Sequence, residues 1–377
     1  LATAAPEIGL LSTYPPTRCG LAYYSQALRA AMVERRGVGR VVGVVRVGLP
    51  TAEDGPEVRG WYRPGHPGST RFVRDVLNRF DAVVIQHEYG IYGPDSGIAI
   101  TDLIEHLQTP LVVTAHTVLS SPTPRQKGIL EVLGQAATAL VVMSQCAAER
   151  IVSTYDIDAR KLAVLPHGTD GFAPPGARFP TDRASLMTWG LVGPGKGIEY
   201  AIEALSQLRD LRPRYLVAGR THPSVLEREG EAYRISLQRQ AESLGVGRHV
   251  DFFPHFLRRR ALLRAAHRAD VILLPYESTE QVTSGVLVEA VASGVPVVAT
   301  AFPHAVELAR EGAVLTVPHR DPAALAHAIR TVIASPELRA RMLAAQRRVT
   351  ASHTWSRIAD GYLDLVGAIT AQSRQPA

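Results

Sequence analysis

Cysteine is almost missing from this chain. Cys19 and Cys146 are the only two among 377 residues, and neither belongs to a CxxC pair. That excludes a disulfide framework and a structural zinc centre of the usual spacing, and a reduced, cytoplasmic setting is the expectation that follows. Lysine is nearly as rare, limited to Lys127, Lys161 and Lys196, so a cofactor held as a Schiff base has few candidate amines. No apolar run approaches the ~20 residues of a membrane-spanning helix. The opening Leu1–Glu7 has neither a basic flank nor a long apolar core, so no signal peptide is expected. The G-x-S-x-G elbow, the HExxH helix and the Walker A loop are absent, and no G-x-G-x-x-G follows the first strand of either half. Serine hydrolase, zinc protease, P-loop and dinucleotide dehydrogenase readings all weaken accordingly.

What is present is turn chemistry. The 31 Gly and 26 Pro are scattered between apolar runs, which favours many short turns over disorder. A chain of 377 residues exceeds what one hydrophobic core usually organises, so two domains are expected. The net charge of +6 sits partly in Arg258, Arg259, Arg260, Arg264 and Arg268, on a segment with the pattern of an amphipathic helix. Such a segment reads as a solvated basic face, with anionic lipid or nearby phosphates as the alternative partners. Nucleic acid is not expected, because no aromatic residues are interleaved for base stacking.

Short β-branched runs alternate with helical stretches. Strands are expected at 8–12, 41–46, 82–86, 111–115, 140–143 and 162–165, with helices at 21–35 and 123–137. The segment 172–182 carries Pro174, Pro175, Gly176 and Pro180 without periodicity and reads as a linker. The rhythm then restarts, with strands at 186–189, 215–218, 250–253, 271–274, 296–300 and 314–317 and helices at 197–210, 231–244 and 258–269. Two α/β domains, each a parallel sheet wrapped by helices, account for this order. A final helix over 356–370 follows the second sheet. In such sheets ligands bind at the carboxyl ends of strands, so the polar and glycine-rich residues just beyond each strand carry the functional signal.

The strongest of these signals is Glu280-Gln-Val-Thr-Ser-Gly-Val-Leu-Val-Glu289. Ser284 has the character of an N-cap, and Gly285 and Val286 would offer free amides that attract phosphate. Glu289, about a turn later, could accept hydrogen bonds from vicinal hydroxyls. An ordinary capped helix with a solvent-facing Glu is the plainer alternative. Gly190-Leu-Val-Gly-Pro-Gly-Lys196-Gly is a second candidate, with Lys196 as a phosphate ligand or as a surface lysine in a turn. Gly219-Arg220-Thr-His-Pro is a third, where Arg220 could fork onto a diphosphate. In the first half, Gly20 opens a helix after the first strand, and His87, Glu88, His116, His167 and Asp170 stand near other strand ends. A lone His there is more often structural, but several such turns in one domain are harder to dismiss. The only D-x-D pattern weighed as a metal motif is Asp156-Ile-Asp158, which reads as a turn, and no metal is expected.

Together these stretches resemble the retaining GT-B glycosyltransferases of family 4, over essentially the whole chain. The resemblance rests above all on Gln281 to Gly294 followed by Pro296-Val-Val-Ala-Thr300. It implies two Rossmann-like domains with parallel sheets facing across a cleft. An acceptor-side domain would span 1–178 with the helix 354–377 crossing back to it, and a nucleotide-sugar domain 179–353. Glu289 matches the second Glu of the family's Glu-x7-Glu pair, which implies a ribose-binding role. The first Glu is replaced by Gln281, leaving Gln281 or Glu280 for the transferred sugar. Lys196 matches the phosphate-binding lysine. The arginine usual five residues earlier is Leu191 here, and Arg220 is the candidate replacement. Gly20 matches the glycine-rich turn facing the diphosphate, and His116 the histidine near the donor sugar's hydroxymethyl group. His87, Glu88, His167 and Asp170 fall to the acceptor side.

The implied reaction moves a hexose from GDP-mannose or a UDP-sugar to a hydroxyl of a sugar, lipid-linked or small-molecule acceptor, with no cofactor beyond the donor. Lys196, Arg220 and the amides of Ser284, Gly285 and Val286 would stabilise the leaving diphosphate. A monomer or homodimer, cytoplasmic or peripheral to the inner membrane face, completes the expectation. The rival readings are a GT-B phosphorylase or epimerase, and a non-catalytic sugar-nucleotide-binding protein.

Overall fold

The computed structural model describes residues 6–36, 42–174 and 183–373. It forms two compact units, Leu1–Gly168 with His353–Ala377, and Thr169–Ser352. The domain boundary expected at 178/179 lies outside the described residues, as do most of the expected linker, Val41 and 374–377.

Unit 1 contains strands β1 (Ile8–Ser12), β2 (Val42–Val47), β3 (Val58–Tyr62), β4 (Ala82–His87), β5 (Leu111–Ala115), β6 (Ala139–Val142) and β7 (Leu162–Val164). They form one parallel sheet in the order β3-β2-β1-β4-β5-β6-β7. Unit 2 contains β8 (Ser185–Trp189), β9 (Arg214–Ala218), β10 (Val250–Phe253), β11 (Val271–Leu274), β12 (Val297–Thr300) and β13 (Leu315–Val317), also all parallel, in the order β10-β9-β8-β11-β12-β13. Helices cover both faces of such sheets, so central strands are buried along their whole length and read as unbroken apolar runs. β4, β5, β11 and β12 are of this kind.

The expected strands all form, with ends shifted by a residue or so. β3 was not anticipated from the sequence. Val58-Arg-Gly-Trp-Tyr62 is an edge strand with alternating exposure and a central glycine, which gives it little of the apolar signal that marks the others. The helix expected over 197–210 divides into helix Ile198–Ser206 and a 3₁₀ turn at Arg209–Leu211. The basic helix stops at Ala266, short of Ala269. Many prolines sit in the first turn of helices, as at Pro124, Pro223, Pro303 and Pro322, where a missing N–H costs nothing.

The last helix, Trp355–Ser373, belongs to unit 1 and packs along helix Gly20–Arg36. Tyr362 is fully buried there, with its hydroxyl 2.8 Å from Thr114 Oγ1 and 3.3 Å from Tyr24 Oη. Arg35 and Asp360 form an ion pair at 2.6 Å with both side chains well exposed. An exposed pair contributes about 0–1 kcal/mol, whereas each fully buried large side chain contributes ~1.5–3 kcal/mol. Burial of Ile358, Tyr362, Val366 and Ile369 therefore holds this helix.

In both sheets the strand order reverses direction, between β1 and β4 and between β8 and β11. The crevice beyond the carboxyl ends at such a reversal is where open α/β sheets bind ligands.

Candidate active site

At the reversal in unit 2 three loops interlock. β8 leads into Gly190–Gly197, β9 into Gly219–His222, and β11 into Pro275–Ser284. Gly190 N–H donates to the Ala218 carbonyl (3.1 Å), Val192 N–H to the Arg220 carbonyl (2.8 Å), His222 N–H to the Val192 carbonyl (2.8 Å) and Glu277 N–H to the Gly195 carbonyl (2.9 Å). Two glycines make this closeness possible. Gly219, at φ +152°, would place a Cβ 1.7 Å from the Gly190 carbonyl oxygen, and Gly197, at φ +64°, would place one 1.7 Å from that of Pro275. No side chain fits at either position.

Lys196 sits in this knot. Its ammonium lies 4.2 Å from the centroid of the Tyr276 ring, and burial lowers its pKa. No carboxylate forms a salt bridge with it among the described residues. A largely buried cation whose one partner is an aromatic face is short of negative charge. Arg220 is exposed, and no side-chain partner is found for it among the described residues. Its backbone runs beside Val192, next to Leu191, so its chain segment borders the position where the family carries an arginine.

Helix Gly285–Ala292 begins against the same loops, since a Cβ on Gly190 would come 3.5 Å from Val286 Cγ2. Ser284 is its N-cap: the hydroxyl accepts from Leu287 N–H at 3.2 Å. The Ser284 N–H itself donates to Nδ1 of the buried His304 at 3.0 Å. The first amides of a helix have no intrahelical acceptor, which leaves those of Gly285 and Val286 for an anion. Gln281 lies just upstream and accepts His304 N–H through its backbone carbonyl at 3.2 Å. Glu289 stands one turn into the helix. Burial raises its carboxyl pKa, and Arg259, with Nη1 3.9 Å from Oε1, pulls it back. Arg259 also pairs with Asp170, which places Asp170 in unit 2 beside Glu289.

Unit 1 gathers different chemistry at its own reversal. Gly20 opens helix Gly20–Arg36, and a Cβ there would meet nothing within 4 Å, so the fold itself does not demand glycine. His87, at the end of β4, is fully buried with neither ring nitrogen hydrogen-bonded, and burial lowers its pKa to about 4. His116 follows β5, its Nε2 2.7 Å from Gln86 Oε1. Burial, with smaller contributions from His167 and His87, lowers its pKa to about 3. His167, with Nδ1 2.9 Å from the Gly168 carbonyl oxygen, is lowered to about 4 by burial. The Tyr24 ring joins His116 and His167, at centroid distances of 4.8 and 5.0 Å. Glu88 accepts from the Thr117 hydroxyl at 2.6 Å and from Tyr89 N–H at 3.0 Å, and burial raises its pKa.

The structure thus brings Lys196, Arg220, Gln281, Ser284, Gly285, Val286 and Glu289 to one set of loops, and His87, Glu88, His116 and His167 to another. Sequence reasoning did not single out Tyr276, His304 or Arg259 individually. The first two lie in apolar surroundings without a local motif, and Arg259 is hidden in an arginine run. Asp158 caps a 3₁₀ turn at Ala159–Lys161 and pairs with Arg160, and no cluster of three metal-ligating side chains occurs among the described residues. No described helix is long and apolar enough to cross a membrane.

Comparison with known proteins agrees with this geometry. The family model described as "Glycosyl transferases group 1" matches residues 174–349, and that described as "Glycosyltransferase Family 4" matches residues 20–170. A D-inositol 3-phosphate glycosyltransferase of Geodermatophilus obscurus is 31% identical over 296 residues, which are 71% of this chain and 62% of that protein. One of Xylanimonas cellulosilytica is 30% identical over 322 residues, 78% of this chain and 73% of that protein. Among solved structures, the Anabaena protein HepE in complex with UDP superposes with a TM-score of 0.73 at 18% identity, covering 96% of this chain and all of that one (100%). Two matched halves, a relative spanning most of both chains and a shared two-sheet fold lead to one assignment: the chain belongs to the GT-B glycosyltransferases of group 1, family 4.

Proposed function

We propose that the protein transfers a hexosyl group, with retention of anomeric configuration, from a nucleoside-diphosphate sugar bound in unit 2 to a hydroxyl acceptor. The observation that carries this reading is the cationic, amide-rich pocket at the unit 2 reversal. Lys196 lacks a carboxylate partner, the amides of Gly285 and Val286 are open at a capped helix start, and Glu289 stands a turn away. That is one site for a diphosphate next to one acceptor for ribose hydroxyls.

The reaction proposed is a same-face substitution, with no covalent intermediate on the protein. The bond from the sugar's C1 to the diphosphate oxygen breaks as the bond to the acceptor oxygen forms. The acceptor proton passes to the departing diphosphate. Lys196, Arg220 and the helix amides then stabilise charge growing on the leaving group, the role a divalent ion plays in metal-dependent transferases. Gln281 or Glu280 contacts the transferred sugar. In unit 1, Glu88, His116 and His167 form a mostly neutral polar surface suited to acceptor hydroxyls, with His87 buried beneath it. GDP-mannose and UDP-sugars are the donors to test first.

Calorimetric titration of UDP, GDP and ADP, in EDTA and again with magnesium, tests the reading. Binding of one diphosphate in EDTA is the expected result, and it names the donor class. If none of the three binds, a non-catalytic scaffold replaces the proposal.

A further inference from the structure

Arg259 stands apart from the arginines around it. All five arginines of the run are exposed, but Arg258, Arg260, Arg264 and Arg268 form no ion pair among the described residues. Arg259 instead opens helix Arg259–Ala266 with its guanidinium turned toward two carboxylates of unit 2. Its Nε pairs with Asp170, and its Nη1 stands 3.9 Å from Glu289 Oε1. The two contacts differ in kind. The first is a close ion pair between two exposed side chains. The second exceeds hydrogen-bonding distance, so Arg259 acts through charge alone and does not itself occupy the carboxylate as a donor.

This arrangement resolves a conflict at Glu289. A carboxylate that is to hold two vicinal hydroxyls must be ionised, because a protonated acid gives up acceptor capacity. Burial acts the other way and favours the neutral acid, as does the charge of Asp170, while Arg259 and, to a smaller extent, the neighbouring Trp189 indole favour the carboxylate. The groups facing Glu289 are Arg259, Trp189, Asp170 and Tyr276, and Arg259 alone among them carries positive charge. The Asp170 contact also offsets Asp170's own repulsion by sharing the guanidinium.

We propose that Arg259 is a positioning residue for donor recognition: paired with Asp170, it keeps the Glu289 carboxylate ionised and open to the ribose hydroxyls of a nucleoside diphosphate. The inference rests on the donor reading of unit 2. It differs from a direct phosphate contact, because its effect depends on the ribose hydroxyls and vanishes when Glu289 is removed.

The test compares UDP, GDP or ADP, whichever binds, with its 2′-deoxy counterpart, on the full chain at pH 8, 7 and 6. Arg259→Ala is expected to weaken the ribonucleotide about tenfold and the deoxynucleotide much less, so the ribose preference shrinks. The loss should deepen as pH falls, since the raised carboxyl pKa is no longer offset and protonation removes the acceptor. Arg259→Lys, which keeps the charge, should recover part of the preference, and Asp170→Asn should cost less than Arg259→Ala. Adding Arg259→Ala to Glu289→Ala should have no further effect on the preference. Equal weakening of both nucleotides by Arg259→Ala, or no weakening of either, overturns the inference while the donor reading stands. A ribose preference that survives Glu289→Ala, or absence of nucleotide binding by the unaltered chain, overturns both.

Discussion

The two units share a strand order through six strands and differ in what they place at the point of reversal. β3-β2-β1-β4-β5-β6 and β10-β9-β8-β11-β12-β13 are the same plan. Yet unit 1 ends in three histidines held neutral by burial and one carboxylate, Glu88, while unit 2 ends in Lys196, exposed Arg220 and open helix amides. One backbone plan thus carries neutral imidazoles in one copy and cationic side chains beside open helix amides in the other. The fold sets where a ligand goes, and the few residues past each strand set what it is.

The largest expected effect sharpens the unit 2 side. Lys196→Ala should lower kcat/KM by about 10²–10³-fold, as loss of one charge-stabilising donor does, with little change in thermal stability. The Tyr276 face is the one contact the ammonium gives up. Steady-state kinetics with a melting curve checks both halves, and unchanged kcat/KM would remove the asymmetry between the units.

A pH series tests unit 1. His87, His116 and His167 have folded pKa values of about 4, 3 and 4, below the ordinary value of 6.5. Groups held neutral in the fold bind protons preferentially when unfolded. Their contribution is therefore full above pH 6.5 and is lost as pH falls toward 4. For His87 alone this is on the order of 2 kcal/mol between pH 7.5 and 5. Urea unfolding of the full chain should show that loss, and His87→Gln should flatten it. A stability flat over this range would show that the histidines are not held neutral.

Ser284→Ala should cost about 1 kcal/mol by removing the cap, and His304→Ala a similar amount by stripping the acceptor from Ser284 N–H. Both changes should also weaken diphosphate binding, whereas capping losses in unit 1 should not. The smallest effect is expected at Arg35→Ala, a shift in melting temperature close to the detection limit. Tyr362→Ala, on the last helix that Arg35 reaches through Asp360, should cost about 3–5 kcal/mol by analogy with other buried aromatic truncations.

Most of this architecture was legible in the sequence because buried parallel strands leave an unmistakable trace. Val83-Val-Ile85 and Val112-Val113 have few other places to go. Ser284 was legible as a cap and Lys196 as the end of a glycine-rich turn, because both signals are local. β3 was not, since an edge strand carrying Arg59 and Gly60 buries too little to show a pattern. Tyr276, His304 and Arg259 act through neighbours distant in the chain. Arg259 in particular is indistinguishable from Arg258 and Arg260 until the fold turns it toward Asp170 and Glu289.

The contact between Gly219 and the Gly190 carbonyl ties the two loops together. Because the space for a side chain at one position is filled by the backbone of the other, the two loops cannot diversify separately. A segment grafted into 219–222 must therefore keep glycine at 219, or be exchanged together with 190–197, since any Cβ at 219 meets the Gly190 carbonyl.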